Sequence, residues 1–335
     1  MTLPVRRIGS LSVSSIGLGC MNLSHGYGEK PSAVDAEALL NRALDLGVTL
    51  LDTAALYGAG ENERLVGRAV GHRRAEFTLT SKCVLDVVDG QRSLDGSPAS
   101  IARTLDDALV RLGTDHIDLY YLHRLDRRVP IEESVGALVR AKEAGKIGAI
   151  GLSEMSAGTI RRAHDVHPIA AVQTEYSPIV RNGEIAVIRT CEELGIGFVA
   201  FSPVARGLLA GGVREDAYVA GDIRAQMPRL LGDALAHNLT AVGLFDALAA
   251  EIGCTPAQLS LAWVLSRGEH IVPIPGTRSI RHLEENLGAL DVVVTPEIMA
   301  RIDLIFGPGA IRGPRYAAAM QAQIDTETFA DEELA

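Results

Sequence analysis

Long apolar runs are missing from this chain: none approaches the ~20 residues that a membrane-spanning helix needs. The opening Met1-Thr2-Leu3-Pro4-Val5-Arg6-Arg7 has basic residues but no apolar h-region behind them, so no secretory signal is expected. Cysteine is scarce, and Cys20, Cys83, Cys191 and Cys254 show no C-x-x-C spacing and no histidine at metal-ligand spacing. Four reduced thiols in a reducing, cytoplasmic compartment are expected, with no metal. An excess of basic charge is also absent, and a net charge of −10 argues against a nucleic-acid partner. Only four lysines stand against 28 arginines, which makes Lys82 easy to notice. Aromatics make up 4% of the chain, and the sole tryptophan, Trp263, lies mid-helix where core packing is expected.

The chain does have enough apolar material, 47% of 335 residues, for one sizeable core, and a single domain over 1–335 is expected. Short β-rich apolar runs at 16–18, 48–53, 77–81, 117–122, 147–152, 169–174, 196–201 and 271–274 alternate with segments of helical period. Several helices announce their starts. Ser97-Pro98 sets an N-cap before a first-turn proline, after which Ile101, Leu105, Ala108, Leu109 and Leu112 line one face until Gly113. Thr255-Pro256-Ala257-Gln258 is a capping box, and Ser32 and Thr295-Pro296 are similar starts. Eight strands alternating with helices favour an α/β fold, a (β/α)8 TIM barrel, over an open doubly wound sheet. Residues 6–13, around Gly9-Ser10, suggest an N-terminal β-hairpin closing the barrel bottom. Two stretches without helical or strand period, 203–238 and 307–335, read as long active-site loops, with a helix expected over 239–252.

In such a barrel every strand delivers its carboxyl end to one face. Asp52, Lys82, His123, Ser153, Gln173 and Ser202 occupy those ends, and Tyr57 lies just beyond Asp52, so they should converge. A free phenol with pKa near ~10 is a poor donor at neutral pH, and a nearby ammonium stabilises the phenolate. Lys82 supplies that charge, Asp52 holds it, and His123 is placed to orient a substrate oxygen. After the last strand, the segment from Pro275 through Gly276, Thr277 and Arg278 to Asn286 opens a helix and offers backbone N–H groups, hydroxyls and guanidinium to an anion. Gly17-Leu18-Gly19-Cys20-Met21-Asn22 is a poor dinucleotide fingerprint, because its last position is not glycine and no acidic ribose partner follows.

Asp52, Tyr57, Lys82 and His123 together resemble the tetrad of the aldo-keto reductase superfamily. The likeness runs from about Val5 to Leu290. The phrases Gly151-Leu152-Ser153-Glu154, Gln173-Thr174-Glu175-Tyr176-Ser177 and Gly313-Pro314-Arg315-Tyr316 are similar to the branch containing perakine reductase and yeast-type pyridoxal reductase. The resemblance implies an NADPH cofactor bound without a Rossmann fold, and reduction of aldehydes. Ser153 and Gln173 should hold the nicotinamide carboxamide, and Tyr176 should stack on its ring. Ser202, Pro203, Val204, Gly207 and Leu208 should follow the pyrophosphate, with Gly19, Met21 and Gly276 also against the cofactor. Thr277, Arg278 and His282 should face the 2′-phosphate, and Glu285 and Asn286 the adenine. Two positions depart from the family pattern: many members have Asn at Glu154 and Arg at His282.

Hydrolase and metalloenzyme patterns are not met. Gly151-Leu152-Ser153-Glu154-Met155 lacks the closing glycine of a nucleophile elbow, and His164 and His167 lack the spacing and glutamate of H-E-x-x-H. Tyr27-Gly28-Glu29-Lys30 has two residues, not three, between Tyr and Lys, so short-chain dehydrogenase chemistry is not supported. The alternative from another class is a cofactor-binding regulatory subunit resembling potassium-channel β subunits. A small-molecule carbonyl substrate is expected, with walls from residues 21–27 and 124–128, the 203–238 segment and the tail; no motif specifies an oligomeric state.

Overall fold

The computed structural model describes residues 3–24, 26–88 and 91–335. Strands β1 (Val5–Ile8) and β2 (Leu11–Ser14) form the expected antiparallel hairpin. Gly9 turns it at φ +57°, and a Cβ there would sit 2.9 Å from the Ala170 side chain, so the tight turn against its neighbour requires glycine. Ile8 and Val13 are buried with Leu50, Leu119, Tyr121, Ala149, Ala171, Val199, Val272 and Ile274. The hairpin therefore covers the amino-terminal end of the layer these inward side chains make.

Further strands are β3 (Leu18–Gly19), β4 (Leu50–Asp52), β5 (Thr78–Cys83), β6 (Leu85–Val88), β7 (Gln91–Leu94), β8 (Ile117–Leu122), β9 (Ile147–Ser153), β10 (Ala171–Glu175), β11 (Gly197–Phe201) and β12 (Ile271–Pro273). Eight of them make one parallel sheet in the order β3-β4-β5-β8-β9-β10-β11-β12. The sheet curls until its two edges meet. A parallel bridge joins Gly19 to Gly276, and Gly17 N–H donates to the Pro273 carbonyl at 3.0 Å. A Cβ on Gly19 would lie 2.9 Å from the Ile274 carbonyl oxygen, which explains a glycine at that seam. The arrangement is consistent with an eight-stranded α/β barrel.

Helices α1 (Ala33–Asp45), α2 (Glu61–Val70), α3 (Pro98–Leu112), α4 (Ile131–Glu143), α5 (Ala157–Val166), α6 (Val187–Leu194), α7 (Gly232–Glu251), α8 (Pro256–Ser266), α9 (Ile280–Leu287), α10 (Pro296–Ile305) and α11 (Ala318–Gln321) complete the chain. The anticipated caps are present: Ser32, Ser97 and Thr295 each accept the N–H three residues on, and Thr255 with Gln258 forms the full capping box. Gly113 ends α3 in the left-handed region. Ile101, Leu105, Ala108 and Leu112 on its inner face are all buried, the two leucines and the isoleucine worth roughly 1.5–3 kcal/mol each. Trp263 is fully buried, as its mid-helix position predicts.

Three segments differ from expectation. The helix expected over 239–252 begins at Gly232, because Leu235 and Asn238 in its first turns are buried and Asn238 Nδ2 donates to the Arg229 and Arg312 carbonyls. The stretch before it contains short 3₁₀ turns, Ala205–Ala210, Ile223–Gln226 and Pro228–Leu230. A second hairpin, β6–β7, follows the Lys82 strand, its register pairing Leu85 with Leu94. The tail carries α11 and is fastened to the strand ends by side chains described below. Among the described residues no single helix is long and apolar enough to cross a membrane.

Candidate active site

Side chains alternate across a strand, so residues two apart share a face. Leu50, Leu119, Tyr121, Ala149, Ala171 and Val199 point into the barrel. Continuing their parity puts Asp52, His123, Ser153, Gln173 and Phe201 on the same inner side, at the carboxyl ends of the strands. All five line one cavity of about 370 Å³.

At its floor the Lys82 ammonium, fully buried, donates to Asp52 Oδ1 at 2.5 Å, the Thr53 carbonyl at 2.9 Å and the Tyr57 hydroxyl at 3.3 Å. Thr80 and Gln173 donate to the other Asp52 oxygen at 2.7 and 2.8 Å. The ammonium lies 5.1 Å from the centre of the Tyr57 ring, and the His123 ring meets that ring edge-on with centroids 6.0 Å apart. Tyr57 and His123 line the cavity, while Lys82 lies behind them.

Burial would lower the Lys82 pKa, but Asp52 and Tyr57 outweigh it and the group is raised, so the ammonium is retained. The phenol behaves differently from the sequence expectation. Burial pushes Tyr57 upward, Lys82 pulls it down, and the net direction is up. Burial, then Arg124, Lys82 and Arg92, hold His123 well below its ordinary 6.5, so this imidazole is neutral at physiological pH. Its Nδ1 is buried without a hydrogen-bond partner.

Gly19, Met21, Ser153, Gln173, Ser202, Pro203, Val204, Gly207, Gly276, Thr277, Arg278, His282, Glu285 and Asn286 all line the same cavity. Two expected cofactor residues do not. Tyr176 is fully buried among Phe198 and Trp263, with its hydroxyl donating to Glu184 at 2.6 Å. Parity is the reason: Gln173 and Glu175 face inward on β10, so Tyr176 faces outward. Phe201, inward on β11 in the series Gly197, Val199, Phe201, lines the cavity instead, and the same alternation would have found it. Leu208 is buried in the outer core rather than the cavity wall. Sequence reasoning also missed Arg92 on β7 and Tyr316 and Met320 in the tail, all cavity-lining. Within the loop expected as a wall at 21–27, His25 lies outside the described residues, as do Met1 and Thr2.

The two departures are resolved differently. Glu154, at φ +53° and fully buried, accepts the Glu175 N–H at 2.9 Å with one oxygen and Arg315 and Thr326 with the other, at 2.8 and 3.0 Å. It anchors the tail. His282 Nε2 lies 2.8 Å from Arg281 Nη2, an Arg–His pair at the end of the cavity that also holds Arg278. Strained backbone clusters here too: Val84, Glu154, Ser202, Ala205 and Arg206 all have positive φ just beyond strand ends. Cys20 and Cys83 are buried, and burial pushes both thiols up, so Cys83 is an inert strand-end thiol despite following Lys82.

A dinucleotide phosphate of the NADPH type fits this donor set. Ser or Thr precedes α1, α3, α5, α8 and α10 and caps each with its side chain. Ser279, before α9, makes no such bond and leaves the first-turn N–H groups of that helix beside Thr277 and Arg278. Those groups suit an anion. The unbroken run of lining residues from there to Tyr57 and His123 is polar at both ends and apolar at Phe201, Pro203 and Val204.

The sequence profile described as the Aldo/keto reductase family matches residues 15–306. The fission yeast Schizosaccharomyces pombe has a relative named aldo-keto reductase yakc, whose name also carries NADP(+); it is 42% identical over 337 residues, covering 98% of each chain. Among solved structures, a glycerol dehydrogenase from Gluconobacter oxydans superposes with a TM-score of 0.82 at 25% identity, covering 99% of both chains. An aldo-keto reductase from Bacillus halodurans in its holo form gives 0.74 at 27% identity, over 90% of this chain and 96% of the other. With a full-length relative above 40% identity and a family profile across most of its sequence, the chain belongs to the aldo/keto reductase family.

Proposed function

We propose that this chain is a (β/α)8-barrel enzyme, a single domain over its length, that reduces aldehydes to alcohols with NADPH. Small, aromatic and pyridoxal-like aldehydes are the expected substrates, in keeping with the perakine reductase and pyridoxal reductase branch its sequence phrases resemble. The observation that carries the reading is the Tyr57 hydroxyl, 3.3 Å from a buried, Asp52-bound ammonium and beside His123 on the cavity wall. The fission yeast relative's NADP(+) name and the fit of the α9 start support the cofactor.

When bound, NADPH supplies a hydride to the carbonyl carbon. Tyr57 gives its proton to the carbonyl oxygen as negative charge develops there. Its raised pKa keeps the phenol protonated throughout the neutral range, so the donor is always loaded. Lys82 then stabilises the phenolate that remains, and Asp52, Thr80 and Gln173 hold that ammonium in place. His123, neutral and on the cavity wall, donates a hydrogen bond that orients the oxygen without competing for the proton. Ser153 and Gln173 are the carboxamide ligands, and Thr277, Arg278 and His282 the 2′-phosphate ligands.

Oxygen must reach both Tyr57 and His123 while the carbon faces the cofactor, so a second carbon substituent crowds the pocket. A misplacement of ~1 Å can cost ~10²-fold. Aldehydes should therefore be reduced much faster than their methyl-ketone counterparts. Steady-state kcat/KM for matched aldehyde and ketone pairs with NADPH decides this, and equal rates would reject the aldehyde assignment.

A further inference from the structure

Five arginines line the cavity, and they are not equivalent. Arg206 pairs with Glu175 at 2.9 Å and Arg224 with Asp222 at 2.6 Å, so neither presents unbalanced charge. Arg278 belongs to the segment assigned to phosphate. Arg92 and Arg124 remain.

Arg124 is almost fully buried beside His123. Its Nη1 donates to the His123 carbonyl at 2.6 Å and to Ser153 Oγ at 3.3 Å, both neutral acceptors. Arg92 projects from β7, where its Nη1 reaches the Met320 sulfur at 3.5 Å, an acceptor too weak to balance a cation. Among the described residues no carboxylate pairs with either. Of the two carboxylates on the cavity wall, Asp52 is committed to Lys82, and Glu285 sits on α9 at the far end. Burial first, then the like charge of Arg124, pull the Arg92 guanidinium down from its ordinary range, as expected for two cations facing one space. Arg124, almost fully buried, is costly to leave without a counter-ion, and Arg92, exposed to solvent on β7, adds a second guanidinium on the same cavity wall, so an anionic ligand entering the cavity meets both.

Building on the reductase reading, we infer that Arg92 and Arg124 form an anion subsite next to Tyr57 and His123, and that the preferred substrates are aldehydes bearing a carboxylate. A planar two-oxygen anion matches the guanidinium fork and replaces neutral contacts with charge-assisted ones. The reaction is unchanged: hydride from NADPH reaches the aldehyde carbon, the C=O π pair moves to oxygen, Tyr57 supplies the proton, and the carboxylate leaves as it entered.

The test compares 4-carboxybenzaldehyde with its methyl ester, whose ring and electron demand are similar, in the wild type and in Arg92→Gln. The wild type should favour the acid by about tenfold or more in kcat/KM, mainly through KM, and added salt should shrink that preference. Arg92→Gln should cut the acid-to-ester ratio about tenfold. A wild-type ratio at or below one overturns the inference while leaving the reductase intact. A direct binding arm uses benzoate and benzamide with the NADP(H)-loaded protein by calorimetry. Tighter binding of benzoate, weakened in Arg92→Gln, supports the subsite even if neither aldehyde is turned over, in which event the reductase reading alone fails. Equal binding of the two overturns the subsite.

Discussion

Asp52, Lys82 and Tyr57 form one buried charged cluster at the strand ends, and Glu154, Glu175, Arg206, Arg315 and Tyr316 form another beside it. In the second, both carboxylates are fully engaged. Glu175 accepts from Arg206 through both oxygens and from the Tyr316 hydroxyl at 2.5 Å, and Glu154 takes Arg315, Thr326 and a backbone N–H. Two carboxylates face two guanidiniums, and the cluster ties the tail to β9 and β10. The first cluster is balanced only behind the cavity wall. In front, it presents Tyr57, the neutral His123 ring and two arginines without a carboxylate partner. A cluster whose carboxylates are all paired with cations holds structure, whereas one left incomplete toward a cavity has capacity for a ligand.

The largest expected difference is in turnover. Tyr57→Phe should lower kcat by about 10²–10⁴-fold, the usual worth of a general acid, while NADPH affinity and the unfolding midpoint stay near wild type. Lys82→Met should do comparable damage to kcat and also destabilise, because it strands a buried Asp52. Residual Tyr57→Phe activity above about a tenth of wild type would remove Tyr57 from the role of acid.

The tail cluster should break in the opposite sense. Arg315→Met leaves Glu154 and Glu175 short of a buried counter-ion, at a cost of about 3–5 kcal/mol in chemical denaturation, with the tail exposed to limited proteolysis. Acid should probe the same cluster. Burial raises the Glu175 pKa, but Arg206 and Arg315 outweigh it and hold the group at about 2, against an ordinary 4.5. The unfolded chain then binds the proton more readily, so the contribution is present above pH ~4.5 and is lost as pH falls toward ~2. Glu175→Gln should flatten urea midpoints between pH 5 and 3 relative to wild type. An unchanged slope would mean that Glu175 is not the group being titrated.

This contrast also explains what was legible in the sequence. Asp52, Lys82 and His123 each end an apolar run, so strand periodicity alone brings them together. Four of the five Ser and Thr caps, Ser32, Ser97, Thr255 and Thr295, could be read locally as well; Ser156 before α5 was not. Glu154 could not: its partners Arg315 and Thr326 lie more than 160 residues away, and no local pattern announces a carboxylate aimed at a tail. Resemblance puts Tyr176 on the nicotinamide ring, whereas its alternation with Gln173 and Glu175 turns it outward, off the cavity wall. The β6–β7 hairpin was legible and passed over: Asp89-Gly90 between Leu85-Asp86-Val87-Val88 and Gln91-Arg92-Ser93-Leu94 is a hairpin signal, and Arg92 was missed with it.

A smaller effect belongs to the far end of the cavity, where the incomplete partner is the α9 start. Arg278→Ala should weaken NADPH binding by ~1.5–3 kcal/mol, the range for a hydrogen bond to a charged group, and leave NADH nearly unaffected. Titration of both cofactors separates the 2′-phosphate from the rest of the dinucleotide. Equal wild-type affinities for the two would remove the phosphate role from Arg278, Thr277 and His282 together.

The smallest effect comes from repeating the tyrosine substitution in the tail cluster. Tyr316→Phe deletes one hydroxyl that donates to Glu175 and accepts from Arg206 at 2.6 Å. Both charged partners keep each other, since the Arg206–Glu175 pair at 2.9 Å does not pass through the phenol. The loss should be that of ordinary hydrogen bonds, about 0.5–1.5 kcal/mol in denaturant unfolding, and kcat should change by less than about threefold because no reacting proton is lost. The same deletion, Tyr to Phe, thus costs turnover at one cluster and a little stability at the other. If Tyr316→Phe instead abolished turnover with its fold intact, the tail cluster would have to be counted part of the reacting site, and the division drawn between the two would fail.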